Sequence, residues 1–356
     1  MLKARRCVRE MREYHSPLSS PAMDLRLDMN ENTTGCSPRV LARLRSLDAQ
    51  TLALYPPREP GEKLAADFLG VAPEHVFLTN GADEGIDLLC RAYLNPGSEI
   101  IVVTPTFAMY EVFAQTEDAK IVRVPTGPEF SFPEQQLLDA ISTQTKIIVI
   151  CNPNNPTGLP VERASILKIL AAAPEAAILL DEAYFDFYGQ TMMDQIGRIQ
   201  NLFIARTFSK AYGLAGVRLG VLAGDKDQIS MLRRMASPFN VNVLALECLA
   251  EALADRDHVD AYIQQIKTGR AWMQHELEQL NFKCWPSQAN FVLCRFGEAK
   301  KAILEGLRAR GIALRDRPDC AGCVRITIGK PEEMQRVLTE LKHVLATIPS
   351  APQVAR

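Results

Sequence analysis

RTFSKAYGLAGVRLG, residues 206–220, is the stretch whose reading decides the fold. It begins where a short apolar run, 202–205, ends, and it sets Lys210 directly after that run with hydroxyls at Thr207 and Ser209. A lysine at a buried strand end costs several kcal/mol unless its charge is paired or removed. Condensation of the amine with an aldehyde removes that charge, and a desolvated lysine is the better nucleophile for it. Further on stands Arg218, after Gly213, Leu214, Ala215 and Gly216, a small-residue run that lets backbone pass closely. Its planar guanidinium suits bidentate contact with phosphate. Lys210 alone would read as a surface lysine; with these neighbours it reads as a nucleophile.

The surrounding chain supplies the frame. Between about 75 and 225, short runs rich in Ile, Val and Leu alternate with longer helical patterns. Strands are expected at 76–78, 100–103, 147–151, 178–181, 202–205 and 219–222, with helices at 83–94, 161–172, 226–235 and 244–254. Continuous apolar strands separated by helices require a mostly parallel sheet covered on both faces, so the fold class is α/β. After 259 the pattern changes to a long polar-faced helix, strands near 290–295, 312–315 and 324–328, a helix near 300–310, and a last helix from Pro331. This tail reads as a smaller α+β domain, to which the strand-like 25–27 crosses back. The expected division is an N-terminal arm over 1–23, a small domain over 24–50 and 259–356, and a large domain over 51–258.

Ligands of such open sheets sit just beyond the carboxyl ends of the strands. Polar, unusual residues gather there, at 80–83, 105–110, 152–158, 181–184 and 207–210. In CNPNNPTG, residues 151–158, prolines and a closing glycine make a rigid turn, and Asn155 can offer its amide to a phenolate-like oxygen. In LLDEAYFDF, residues 179–187, Asp181 closes an apolar strand and needs a cationic partner. A protonated pyridine nitrogen is such a partner and would keep the ring an electron sink, with Tyr184 donating to a ring hydroxyl. In TNGADEGIDLL, residues 79–89, Gly81 opens a helix whose unpaired N–H groups suit a phosphate. Taken singly, these last segments also read as an ordinary turn, an ion-pair aspartate and a capped helix.

Composition narrows the classes. The 356 residues carry a net charge of −2, which offers no broad basic field for nucleic acid. No run approaches the roughly 18 apolar residues of a membrane helix. The basic start, with Lys3, Arg5, Arg6, Arg9 and Arg12, has no apolar run behind it and reads as an arm rather than a secretory signal. Nine cysteines, scattered except for Cys320 and Cys323, point to free thiols in a reducing compartment, hence to the cytoplasm. That pair lacks the partners zinc needs, so no metal site is expected.

In this order, these segments resemble the aminotransferases of the aspartate-aminotransferase-type fold, fold type I of the pyridoxal-phosphate enzymes, and more closely the histidinol-phosphate aminotransferase family. The resemblance runs from about 24 to 346 and includes LDMNENTTGCSP (27–38), LYPP (54–57), PTFAMY (105–110), ANFVLCRF (289–296), GIALRD (311–316) and AGCVRITIG (321–329). It implies pyridoxal 5′-phosphate held covalently by Lys210, which would also shuttle the substrate proton. It implies Asp181 at the pyridine nitrogen, Tyr184 and Asn155 at the ring oxygen, and Tyr110 stacked on the ring. The phosphate falls to Ala82 and Asp83 backbone groups, Thr207, Ser209 and Arg218, with Tyr55 reaching in from the second subunit of a homodimer. Arg325, Arg315 and Tyr14 are implied at the substrate.

The implied reaction is a two-step transfer between small amino donors and oxo acceptors, glutamate and imidazole acetol phosphate giving 2-oxoglutarate and histidinol phosphate in histidine biosynthesis. An aromatic or broad-specificity aminotransferase shares nearly every motif, and a phosphothreonine decarboxylase-like lyase resembles the same subfamily. A DNA-binding ligand sensor lacks a helix-turn-helix extension before 24. Thr33 and Thr34 depart from the family's usual Pro and following residue, which bears on substrate choice.

Overall fold

The strand Thr145–Cys151 shows how local sequence builds the central layer. Its TKIIVIC places Ile147, Val149 and Cys151 in one hydrophobic cluster and Ile148 and Ile150 in another, on opposite faces. A strand apolar on both sides must be covered on both sides. The computed structural model describes residues 2–11, 13 and 23–348, so Arg12 and the substrate candidate Tyr14 lie outside the described residues.

In chain order the strands are β1 (Leu25–Leu27), β2 (Val76–Thr79), β3 (Glu99–Thr104), β4 (Lys120–Pro125), β5 (Thr145–Cys151) and β6 (Ala177–Asp181), then β7 (Leu202–Thr207), β8 (Gly220–Gly224), β9 (Lys283–Cys284), β10 (Phe291–Arg295), β11 (Ile312–Arg317) and β12 (Cys323–Thr327). Seven form a large sheet in the order β2-β8-β7-β6-β5-β3-β4, and five form a small one in the order β1-β11-β12-β10-β9. In the large sheet β8 runs antiparallel to both β2 and β7, while the other neighbours are parallel. β2 through β7 therefore share one direction and end at one edge. β8 starts at that edge.

Each expected strand is present, within a residue or two. β4 was not expected. It is the sheet edge, and its KIVRVP exposes Lys120 and Arg123, so it never reads as an apolar run. Charge on an edge strand blocks pairing with another chain. The helices Ala82–Tyr93, Arg163–Ala172, Lys226–Arg233 and Val243–Ala254 lie close to their expected bounds. Helices at Pro38–Arg45, Glu59–Leu69, Met109–Thr116 and Glu134–Ala140 had no sequence expectation.

The small sheet is tied to the N-terminal segment by β1, which pairs in parallel with β11 from Leu25 opposite Ile312 to Leu27 opposite Leu314. Beyond β1 the chain turns into the gap between the sheets. The helix Pro38–Arg45 then packs on Val243–Ala254, fastened by Arg39 to Glu251 and Arg43 to Glu247. Among the described residues no helix is long and apolar enough to cross a membrane.

Ile150, 1% exposed within the cluster on the Arg163–Ala172 side, tests the two-faced core. Ile150→Ala should lower unfolding free energy by about 2–5 kcal/mol in urea titration, the usual cost of a buried large-to-small change.

Candidate active site

A cavity of about 910 Å³ opens between the carboxyl edge of the large sheet and strands β11 and β12. Lys210 enters it from the turn after β7. Its Nζ donates to the Met29 carbonyl oxygen at 3.1 Å. The side chain keeps partial access to the cavity, but protein packs round the amine. Burial, with the positive charge of Arg325 adding to it, lowers the amine to about 8. The neutral nucleophilic form is thus about a tenth of the population at pH 7, where an ordinary lysine is almost wholly charged.

Asp181 closes β6 beside it, 4% exposed. Burial pushes its carboxyl up to about 6, against the lowering effect of its bonds from the Tyr110 hydroxyl at 2.6 Å and the Ala183 amide at 3.0 Å. A carboxylate held up in this way gains from a cation brought alongside it.

Tyr110 corrects an expectation. It was expected to lie on a bound ring, but it is fully buried, does not line the cavity, and spends its hydroxyl on Asp181. On this side of the cavity the wall carries Phe107, packed edge-on to Tyr110 with ring centroids 5.6 Å apart. The cause is helical phase: Phe107 precedes the helix Met109–Thr116, whereas Tyr110 lies within it on the core side. Asn154 steadies this loop, donating to the Pro105 carbonyl at 3.0 Å and accepting from the Thr106 hydroxyl at 2.7 Å.

Asn155 and Tyr184 both line the cavity and are held from behind. Arg325 Nη1 donates to Asn155 Oδ1 at 2.6 Å, which leaves the Asn155 amide hydrogens for the cavity. The Tyr184 hydroxyl accepts from Asn30 Nδ2 at 2.8 Å. Arg325 also donates to the Asp28 carbonyl, and burial lowers its guanidinium to about 10, still charged near neutral pH. Arg315 stands directly opposite Arg325 in the β11–β12 register, and Arg317 follows on the same strand, both at the cavity wall. Like charges so placed repel, and an anion between them relieves that. Arg317 is itself held by Asp319 and donates to the Thr106 carbonyl at 3.1 Å.

A second cluster gathers at the start of the helix Ala82–Tyr93. This helix has no side-chain cap, so its first N–H groups are open to a ligand. Arg218 reaches Asp83 at 3.0 Å, and the Thr207 hydroxyl lies 3.0 Å from that of Ser209. Two glycines allow the approach. A Cβ on Gly81 would fall 2.4 Å from Arg218 Nη2, and one on Gly220 would fall 2.5 Å from the Ala82 nitrogen. Arg218 itself has φ 58, a left-handed backbone that non-glycine residues adopt at some cost.

Lys210, Asp181, Asn155, Tyr184, Ala82, Asp83, Thr207, Ser209, Arg218, Arg315 and Arg325 therefore all face one cavity. Tyr55 does not. It is 78% exposed and stacks on Phe239 with centroids 4.3 Å apart. Sequence reasoning passed over Phe107, Asn30 and Arg317. Only Arg317 left a usable signal, since it stands two residues from Arg315 and so shares its face of a strand.

The aminotransferase class I and II family model matches residues 22–341. The chain belongs to that family. A histidinol-phosphate aminotransferase from Dehalococcoides mccartyi is 35% identical over 323 residues, 89% of each chain. The crystal structure of histidinol-phosphate aminotransferase from Sinorhizobium meliloti in complex with pyridoxal-5′-phosphate superposes with a TM-score of 0.89 at 21% identity, over 98% of this chain and 99% of that one. Aspartate aminotransferase from Thermus thermophilus superposes at 0.83, with 23% identity, over 97% and 100%. The expected aspartate-aminotransferase-type fold is the one found.

The amine of this aminotransferase offers a direct check. Acylation of Lys210 in cofactor-free protein, followed by peptide mass spectrometry across pH, should accelerate through a midpoint near 8, whereas an unperturbed lysine has a midpoint near 10.5. The sign follows from burial, which disfavours the charged form.

Proposed function

We propose that the chain catalyses pyridoxal-phosphate-dependent transamination between histidinol phosphate and 2-oxoglutarate, equivalently imidazole acetol phosphate and glutamate. The observation that carries the reading is one cavity holding both a depressed lysine amine and the opposed arginines Arg315 and Arg325. The name and high coverage of the Dehalococcoides relative support the choice of substrate.

The residues present fit the cofactor. Gly81 and Gly220 let the Arg218 guanidinium and the start of β8 close on the uncapped helix N-terminus, where a Cβ would clash, and the raised Asp181 carboxyl calls for a cationic ring nitrogen. When bound, pyridoxal phosphate supplies an aldehyde that condenses with amines and a ring that takes up the electrons of a broken C–H bond. The open N–H groups of Ala82 and Asp83, with Thr207, Ser209 and Arg218, bind the phosphate. Phe107, at the cavity wall, would pack against the ring. Asp181 holds a proton at the pyridine nitrogen, and Asn155 and Tyr184 donate to the ring oxygen.

Lys210 Nζ would serve twice, as the amine that holds the cofactor's aldehyde and as the base that moves a proton between the substrate α-carbon and the former aldehyde carbon on the far side of the amino nitrogen. Arg325 and Arg315 receive the substrate anion, carboxylate in one half-reaction and phosphate in the other; a guanidinium suits both. The exposed Tyr55 is available to a second copy of the chain, and a homodimer in which it reaches the partner's phosphate completes the reading.

Purified protein should turn over glutamate with imidazole acetol phosphate, and Lys210→Ala should lose both turnover and the visible absorbance gained with pyridoxal phosphate. Carbon dioxide released from phosphothreonine, with no oxo acid required, would overturn the transaminase reading. Arg325→Ala should lower kcat/KM for both anionic substrates by roughly 10- to 100-fold, the scale of a lost charge-assisted hydrogen bond, measured by steady-state kinetics.

A further inference from the structure

Three consecutive residues just beyond β1 each touch a different side chain of the site. The Asp28 carbonyl accepts from Arg325, the Met29 carbonyl accepts from Lys210, and Asn30 donates to Tyr184. Asn30 is the most constrained of them. It is 1% exposed and has φ 55. Its amide N–H donates to Thr327 Oγ1 at 3.0 Å, the Thr327 hydroxyl donates to Asn30 Oδ1 at 3.1 Å, and Asn290 Nδ2 donates to the Asn30 carbonyl at 3.1 Å. Backbone bonds alone would anchor the turn. The closed ring with Thr327 also fixes which end of the carboxamide faces the cavity.

The direction follows from counting hydrogens. Thr327 Oγ1 accepts from the Asn30 backbone, and its single hydrogen goes to Asn30 Oδ1. The carboxamide oxygen is thereby occupied, and its NH2 group faces Tyr184 at 2.8 Å. A phenol oxygen that receives this hydrogen has its own hydrogen left to send elsewhere, and Tyr184 lines the cavity. Reversing the amide would put an acceptor there and draw the phenol hydrogen back into the protein.

We propose that Asn30, keyed by Thr327, is a positioning residue that turns the Tyr184 hydroxyl hydrogen into the cavity, toward the oxygen of the ring bound there. The inference rests on the pyridoxal-phosphate reading and adds to it a residue from the small-sheet side. The charged and titratable groups facing Tyr184 are Arg325 on β12, Asp181 at the end of β6, Cys151 on β5, and Lys210 after β7, whose Nζ lies 6.0 Å from the ring centroid. All are retained in the variants below.

The test follows the pH midpoint of the visible absorbance of protein loaded with pyridoxal phosphate. A hydrogen donated to the ring oxygen stabilises its negative charge, most of all in the deprotonated form, and so keeps the midpoint low. Asn30→Asp places only acceptor oxygens beside Tyr184, and the midpoint should rise by about one pH unit, the scale of one hydrogen bond. Thr327→Val unlocks the amide and should shift the midpoint the same way, while Thr327→Ser should restore it. Thr327→Val should not move the midpoint in a Tyr184→Phe background, a dependence that mere loosening of the site would not produce, and Asn30→Asp, whose added carboxylate also acts through space, should move it less there than with the phenol present. The Thr327 pair carries the test if Asn30→Asp fails to fold. An unchanged midpoint in the folded variants, or an equal shift without the phenol, overturns the proposal and leaves the cofactor reading intact. Wild-type protein that takes up no pyridoxal phosphate overturns that reading, and this proposal with it.

Discussion

Desolvation at the carboxyl edge of the large sheet is the constraint on which the rest depends. The same burial that moves the Lys210 amine down to about 8 moves the Asp181 carboxyl up to about 6. Each group is pushed toward its neutral form, and a cationic ring with an aldehyde substituent would satisfy both. Only a rigid frame can hold ionisable groups in this way, because a mobile one would let water in and relax the shifts. Strands buried on both faces, such as β5 and β6, provide that frame.

The small sheet supplies the other half. Arg325 leaves β12 to hold Asn155, and residues 28–30 leave β1 to reach Arg325, Lys210 and Tyr184. The arginine proposed to meet a substrate anion is thus bonded to a residue proposed to face the cofactor. Occupation of the arginines by carboxylate or phosphate changes the field at Lys210, since Arg325 is the leading charge acting on that amine. On the proposed reading, substrate recognition and amine reactivity share one residue.

Much of this was legible in the sequence, and the gaps have physical reasons. Continuous apolar runs marked the buried strands, and the polar residues after them marked the edge where the cavity lies. Lys210, Asp181 and Arg218 were readable because each is expensive where the pattern places it. β4 was missed because an edge strand alternates with exposed charge. Tyr110 was named and Phe107 passed over because the motif does not reveal where the helix begins, and three residues turn a side chain from the cavity wall to the core. Asn30 was invisible as a site residue because its role lies in bonds to Thr327 and Asn290, far away in the chain.

The lone reversed strand, β8, has a consequence of its own. Since β7 and β8 are antiparallel, with Thr207 opposite Gly220, Lys210 and Arg218 lie near the two ends of the one loop that joins the two strands. The span from reactive nitrogen to anion-binding guanidinium is therefore gauged by a single local loop. Sliding of one sheet against the other, or insertions elsewhere in the chain, leave that gauge unaltered.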